Sequence, residues 1–217
     1  RLLDIEAKGG QVFVLSADVT DLHQMEMVIH QATKEFGQIH GVIHTAGVAG
    51  GGMIQQKTPE IAEQVLLPKV KGTLVLNQLF RELPLDFMVL CSSLNSILGE
   101  VGQIDYCAAN AFLDHFALYR NHQGQKTICI NWDAWQEVGM AISTEIPPEL
   151  RGIRKASLEK VGMLSREAIQ AFDRIMASRY PWILISTYDF QGRLERARHF
   201  KIDSLAQIKD PRPLYPR

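Results

Sequence analysis

The chain has 217 residues, 46% of them hydrophobic and 22% charged, which is enough for one domain with a substantial core. Its 23 Lys and Arg residues balance 24 Asp and Glu residues, so the net charge of −1 gives no electrostatic attraction to nucleic acid or to anionic membranes. No apolar run reaches the ~20 residues of a membrane span, and the first residues lack the apolar centre of a signal peptide. Three cysteines without a CxxC pair suit a reducing compartment, and we therefore expect a cytoplasmic protein.

Short β-branched runs alternate with longer helical patterns along the chain. Strands are predicted at residues 11–18, 39–47, 86–93, 126–135 and 182–187, and helices at 21–37, 58–83, 103–122 and 165–178. Such alternation requires crossover connections between parallel strands. We therefore predict an α/β fold, a Rossmann-like doubly wound parallel sheet with helices on both faces.

The strand, GxGxxG-like turn and helix that normally open a dinucleotide-binding fold are not found in the sequence. Because the chain begins in what resembles the helix before the third strand, we expect residues 1–200 to form a subdomain that is incomplete at its N-terminus. Gly50, Gly51 and Gly52 follow a strand but lead into polar loop residues, so we do not expect them to cradle a phosphate. Residues 201–217 carry three prolines among charged residues, which is typical of a linker towards a following domain.

Four polar residues form a candidate active site. Ser93 ends the predicted strand at 86–93, and ligands of doubly wound sheets bind beyond the carboxyl ends of the strands. Tyr106 and Asn110 lie one turn apart on the following helix and therefore on the same face. A tyrosine phenol is a weak acid that needs a nearby cation to favour its phenolate. Lys69, in an otherwise apolar part of the preceding long helix, is the best candidate for that cation.

This constellation can be interpreted as a site for carbonyl reduction. Ser93 would donate a hydrogen bond to the substrate carbonyl, Tyr106 would deliver the proton, and a nicotinamide cofactor would supply the hydride. Lys69 would lower the pKa of the phenol, and Asn110 would hold a backbone group or an ordered water between them. Spacing alone leaves another interpretation open, in which Tyr106 is a helix-start aromatic, Ser93 a cap, Asn110 a surface residue and Lys69 a solvated cation.

The seven histidines offer a rival chemistry, that of a metal site. They show no HExxH or CxxH motif and no pairing with acidic residues at ligand spacing. We therefore expect no metal.

Six motifs follow one another along the sequence and cover almost the whole chain. In chain order they are DVTD, HTAGV, LPKVKGTLVL, CSSLNSILGEVGQIDYCAANAFLD, INWDAWQEVGMA and PRPLYPR. Together they resemble the ketoreductase domain of a modular polyketide synthase, a branch of the short-chain dehydrogenase/reductase superfamily. Classical members of that superfamily place lysine four residues after the tyrosine and asparagine on the preceding long helix. Here Asn110 follows Tyr106 and Lys69 lies on that helix, an exchange that resembles synthase ketoreductases.

The resemblance implies that Lys69, Ser93, Tyr106 and Asn110 are the catalytic set and that NADPH is the cofactor. The implied cofactor contacts are Asp18, Val19, Ala46, Gly47, Lys69, Tyr106 and Trp132. The implied substrate is a β-ketoacyl chain on the phosphopantetheine arm of an acyl carrier protein, reduced to the β-hydroxyacyl thioester among neighbouring synthase domains. Residues 140–165, which have no strong single period, would form a mobile lid or, alternatively, an ordinary surface excursion. The linker at 201–217 would lead to an acyl carrier domain.

Two departures from the family patterns concern product stereochemistry. The Leu-Asp-Asp triplet that marks one product class is replaced by Ala49, Gly50 and Gly51, which argues against that class. The tryptophan that marks the other class is Leu98 here, whereas Gln103 resembles that class, so the balance favours the A-type.

Two other functions remain open from the sequence. The missing glycine turn would suit a non-catalytic remnant of a ketoreductase that acts as a scaffold between synthase domains. A free-standing short-chain dehydrogenase acting on a small alcohol is the second alternative, although the exchanged Asn110 and Lys69 and the PRPLYPR tail count against it.

Overall fold

The computed structural model describes residues 2–144 and 148–199. Within these ranges the chain forms four β-strands and nine α-helices. The strands are β1 (Gly41–His44), β2 (Phe87–Ser93), β3 (Thr127–Trp132) and β4 (Trp182–Leu184). The helices are α1 (Leu2–Ala7), α2 (Leu22–Phe36), α3 (Pro59–Leu79), α4 (Asn95–Leu98), α5 (Ile104–His122), α6 (Met140–Ser143), α7 (Pro148–Val161), α8 (Ser165–Met176) and α9 (Phe190–Arg198).

The four strands form one parallel sheet in the order β1-β2-β3-β4. At least one helix lies in each connection, because a parallel neighbour can be reached only by a crossover over the face of the sheet. The predicted Rossmann-like α/β fold is confirmed.

Side chains of successive strand residues pack on opposite faces of the sheet. Met88, Leu90 and Cys129 join residues of α3 and α5 in one buried cluster. Val89 and Ile130 join Ile175 of α8 in a second cluster on the other face. Helices therefore cover both faces of the sheet, as the sequence predicted.

Local capping explains where the two helices before β2 begin. Asp21 precedes α2 and its side chain accepts hydrogen bonds from the backbone N–H groups of His23 and Gln24. Thr58 accepts from the N–H of Ile61, and proline occupies the first turn of α3. Both starts agree with the sequence prediction, whereas α3 ends at Leu79 rather than near residue 83.

The strand predicted at residues 11–18 is wrong: the structure gives this segment no strand or helix. Its apolar side chains Phe13 and Val14 are exposed. A strand needs a neighbour that accepts and donates its backbone hydrogen bonds, and no other strand within residues 2–144 and 148–199 pairs with this segment. The β-branched residues therefore indicate a propensity for strand structure, but they do not provide the neighbouring strand that a sheet requires.

The described part of residues 140–165, which leaves out 145–147, contains α6, α7 and the first residue of α8, where the sequence showed no clear period. The guanidinium of Arg154 in α7 donates hydrogen bonds to the backbone oxygens of Met140 and Thr144. The function of this segment as a lid stays a prediction.

Two further expectations concern the linker at the C-terminal end and the lack of a membrane span. The linker at 201–217 lies outside the described residues. Among the helices of the described ranges, none has the length and apolar character needed to cross a membrane.

Candidate active site

Ser93, Tyr106 and Asn110 meet at the carboxyl edge of the sheet. Ser93 is the last residue of β2 and is paired with Trp132 at the end of β3. Tyr106 and Asn110 lie in the first two turns of α5, and the Asn110 amide Nδ2 donates to the backbone oxygen of Tyr106 at 2.7 Å. The side chains of Ser93 and Asn110 both lie near enough to the Tyr106 phenol to influence its pKa. The structure thus brings together three of the four residues of the predicted catalytic set.

The pKa of the Tyr106 phenol lies above its ordinary value. Burial is the main cause, because a desolvated phenolate is unfavourable, and the nearby side chains of Ser93 and Asn110 offset only part of the rise. The sequence predicts the opposite direction, because the positive charge of Lys69 was expected to lower the pKa of this phenol. In this structure the phenol is therefore held in its protonated form at neutral pH.

Lys69 is a buried cation, with 3% of its surface exposed. It lies in α3, and its Nζ donates a hydrogen bond to the backbone oxygen of Cys91 in β2 at 2.8 Å. Burial lowers the pKa of Lys69, and the nearby Cys91, Cys129 and Asp114 oppose that shift. The interpretation of Lys69 as a solvated cation is wrong.

Asn110 is also fully buried, so it is not a surface residue. Its amide nitrogen is used, but its Oδ1 has no hydrogen-bond partner among the described residues. A buried amide oxygen without a partner is unfavourable and is typical of a position that accepts from a water or a ligand group. The predicted role of Asn110 as a relay towards Lys69 stays a prediction.

His44, at the end of β1, was not predicted from the sequence as part of the site. It is buried, and its Nε2 lies 3.2 Å from the backbone oxygen of Pro68, next to Lys69 in α3. Burial, followed by the charge of Lys69, lowers the pKa of His44 from 6.5 to about 4. His44 is therefore neutral at physiological pH and adds no second charge beside Lys69.

This shift predicts a dependence of stability on pH. At about pH 5 the unfolded chain binds a proton at His44 that the folded protein does not bind, so stability is present above the unfolded pKa of 6.5 and falls as the pH approaches 4. We expect a loss of about 2 kcal/mol from His44 between about pH 7 and about pH 5. The measurement is urea unfolding of the unmodified protein and of His44→Gln at both pH values. The difference in unfolding free energy between the two proteins should change by this amount from one pH to the other.

Glutamine is a suitable replacement because its amide can donate to the Pro68 oxygen and does not titrate. His115, which is exposed on α5, is the control, and His115→Gln is expected to change the pH dependence much less. A stability difference between the protein and His44→Gln that stays constant with pH would contradict the assignment.

Apart from Lys69 and Tyr106, the predicted cofactor contacts lie in the loop before α2, in the loop after β1 and at the end of β3. Val19 precedes α2 and packs on Gly72 of α3, where an added Cβ would lie 2.8 Å from Val19 Cγ1. Gly47 follows β1 and faces Lys69, whose Cε would be 3.1 Å from an added Cβ. Trp132 ends β3 and its ring lies edge-on to that of Trp135. Asp18 and Ala46 lie in the loops before α2 and after β1. The roles of these residues stay predictions.

A buried polar network beneath Ser93 was missed by sequence reasoning. The Asp114 carboxylate accepts from Ser96 Oγ at 2.6 Å and from Asn131 Nδ2 at 3.0 Å. Asn131 Nδ2 also lies 3.1 Å from the backbone oxygen of Ser93, and Ser96 Oγ lies 2.9 Å from the same oxygen, an alternative acceptor for its single proton. The available signal was an acid on the apolar face of α5, four residues after Asn110.

The loop after β1 packs closely against the start of α5. An added Cβ at Gly50 would lie 2.7 Å from Asp105 Oδ1 and 2.9 Å from Tyr106 Cβ, whereas one at Gly51 would meet nothing within 4 Å. We therefore expect Gly50→Ala to destabilise the protein by about 1–3 kcal/mol and Gly51→Ala by less than about 0.5 kcal/mol. Thermal or urea unfolding of the two variants checks this, and equal stabilities would contradict the packing described here.

The chain matches the KR domain family over residues 1–137. Polyketide synthase PksN of Bacillus subtilis is 32% identical over 197 residues, which are 88% of this chain and 4% of that protein. The Cluster 41 polyketide synthase of Aspergillus flavus is 36% identical over 194 residues, which are 87% of this chain and 16% of that protein. The crystal structure of a ketoreductase domain from the bacillaene assembly line has a TM-score of 0.77 and 31% identity, and the match covers 90% of this chain and 47% of that one.

The parallel sheet, with its serine, tyrosine and asparagine at the carboxyl edge, defines a Rossmann-like protein of the short-chain dehydrogenase/reductase class. The matches to known proteins identify the family within that class. The chain belongs to the ketoreductase (KR) domain family of modular polyketide synthases, which confirms the resemblance found in the sequence. It spans less than a fifth of the length of either curated relative named above. The family implies a nicotinamide cofactor.

Proposed function

We propose that the chain is the catalytic part of an NADPH-dependent ketoreductase. Its substrate is a β-ketoacyl thioester on an acyl carrier protein, and its product is the β-hydroxyacyl thioester. The observation that carries this proposal is the grouping of Ser93, Tyr106 and Asn110 at the carboxyl edge of the sheet, with Ser93 near enough to the phenol to influence its pKa. The similarity to polyketide synthases supports a carrier-bound substrate and neighbouring synthase domains as partners.

The proposed reaction adds a hydride and a proton to the ketone. The Ser93 hydroxyl and the Tyr106 phenol donate hydrogen bonds to the carbonyl oxygen, which polarises the bond. A nicotinamide cofactor, when bound, would supply the hydride that the carbonyl carbon accepts. The carbonyl π electrons move to the oxygen, which takes the proton of Tyr106 and becomes the hydroxyl. The raised pKa of the phenol suits this role, since the proton is present at neutral pH.

The residues around Lys69 are compatible with a nicotinamide cofactor. An added Cβ at Gly47 would crowd Lys69 Cε at 3.1 Å, so glycine leaves room for the Lys69 side chain, whose Nζ uses one N–H on the backbone oxygen of Cys91. An ammonium has three donors, so two remain for ribose hydroxyls. Asp18 and Val19 would hold the adenine, and Ala46, Gly47 and Trp132 would line the cofactor cleft. Residues 140–165 are proposed as the lid over the substrate. The proposed location is the cytoplasm, which the three free cysteines support.

The test is consumption of NADPH by the protein at its full natural length. We expect turnover with a β-ketoacyl pantetheine thioester, and much slower turnover with small ketones or with NADH. Preference for a small ketone would favour the free-standing dehydrogenase instead. A folded protein that turned over no ketone would favour the scaffold alternative.

A further inference from the structure

Lys57 and Asp105 form a buried ion pair beside the candidate site. Lys57 Nζ lies 2.5 Å from Asp105 Oδ2, and the side chains are 6% and 1% exposed. The same Nζ donates to the backbone oxygen of Gly51 at 2.6 Å. Lys57 lies two residues before α3, which carries Lys69, and Asp105 lies in the first turn of α5, directly before Tyr106. The pair therefore ties the N-terminal ends of both helices to each other and to the loop after β1.

The two carboxylate oxygens of Asp105 accept hydrogen bonds from different donors. Oδ2 accepts from Lys57, and Oδ1 accepts from the backbone N–H of Tyr106 at 2.9 Å. That N–H belongs to the first turn of α5, where helical N–H groups have no acceptor within the helix. Asp105 thus fixes the backbone from which the phenol projects.

The glycine loop, residues 49–53, is held against the same turn. Gly50 leaves no space for a Cβ beside Asp105 and Tyr106, and an added Cβ at Gly102 would lie 3.4 Å from the backbone oxygen of Gly52. Lys57 closes this arrangement by bonding both the loop and the helix. Its ammonium is what keeps the buried carboxylate in place, because an unpaired buried charge would turn to solvent or take up a proton.

We propose that Lys57 and Asp105 are positioning residues for the reduction. By holding the glycine loop against the first turn of α5, they fix the angle at which the Tyr106 phenol meets the substrate carbonyl. This inference rests on the proposed function of Tyr106 as the proton donor. It also accounts for glycine at position 50, since a side chain there would push the loop away from Tyr106.

The test compares three variants of the protein at its full natural length. Lys57→Met removes the charge and keeps the length of the side chain. Lys57→Arg keeps the charge and the possibility of two hydrogen bonds. Arg120→Met is the matched control, because Arg120 is also a buried cation that links the same two helices, through Asn77, but at the opposite end of α5.

We expect Lys57→Met to lower kcat about tenfold or more with little change in KM, since small misplacements of a reacting group are costly to the rate. Lys57→Arg should recover most of the rate, and Arg120→Met should leave kcat near that of the unmodified protein while lowering its unfolding temperature. Hydrogen exchange should become faster in the peptides covering residues 49–56 and 102–107 in Lys57→Met, but not in Arg120→Met. A kcat for Lys57→Met equal to that of Arg120→Met would overturn the proposal.

Two further outcomes keep this inference separate from the proposed function. If the unmodified protein were no more active than Tyr106→Phe, the proposed function would fail, and unchanged exchange at residues 49–56 in Lys57→Met would still refute the anchoring. If Lys57→Met did not fold, the double variant with Asp105→Asn, which removes both charges, takes its place. An unchanged kcat in that double variant would likewise refute the positioning role.

Discussion

Replacing Tyr106 by phenylalanine is expected to abolish ketone-dependent NADPH oxidation and to leave the fold intact. The phenol lies near Ser93 and its raised pKa keeps the proton available, so the ring without its hydroxyl has no proton to donate. Loss of a general acid lowers the rate by about 10²- to 10⁴-fold. The measurement is the initial rate of NADPH consumption with a β-ketoacyl pantetheine thioester, together with an unfolding curve for each protein.

Tyr119 provides the matched control for this experiment. It lies on the same helix, α5, but its side chain is exposed and remote in sequence from the site. Tyr119→Phe removes the same atom and is expected to retain full activity. Turnover in Tyr106→Phe at the rate of the unmodified protein would disprove the role of Tyr106.

Replacing Asp114 by alanine is expected to cause the largest loss of stability among these variants, about 3–5 kcal/mol. The carboxylate is 2% exposed and accepts hydrogen bonds from Ser96, Asn131 and the thiol of Cys129. Its removal takes the acceptor from the Cys129 thiol and the charged acceptor from Ser96 and Asn131. Activity should fall as well, because Asn131 also holds the backbone oxygen of Ser93.

Urea unfolding of Asp114→Ala measures the loss, and Asp173→Ala is the control. Asp173 is an exposed acid on α8, so its replacement should change the free energy of unfolding by less than about 0.5 kcal/mol. Similar stabilities of the two variants would show that the network beneath Ser93 contributes little.

The alternation of strands and helices, the family and the positions of Ser93, Tyr106 and Asn110 were predictable from the sequence. The alternation depends on periodicity and the positions of the three residues on spacing within one segment, whereas the family was found through motifs that resemble those of known ketoreductases. The strand at 11–18 was not predictable in this way, because strand formation depends on a partner as well as on β-branched residues.

The interactions around the site show a second limit of sequence reasoning. Lys57 and Asp105 are 48 residues apart, and nothing in the local pattern of either residue indicates the other. The pKa of Tyr106 was expected to fall because a lysine was foreseen nearby, yet burial raises it. The sequence suggests which charged groups are near, but the balance between a charge and desolvation depends on depth, which only the fold defines.

The strand order has a consequence for how the sheet is assembled. Each of these strands pairs with the next one along the chain, and the paired residues are 46, 39 and 53 positions apart for β1-β2, β2-β3 and β3-β4. Each of β2, β3 and β4 therefore finds its partner edge already synthesised when it leaves the ribosome, and among the four strands of the described residues no pairing has to wait for a segment beyond the next crossover. We expect β1, β2 and β3 to gain protection from exchange in that order during synthesis, as pulse labelling of stalled nascent chains would show.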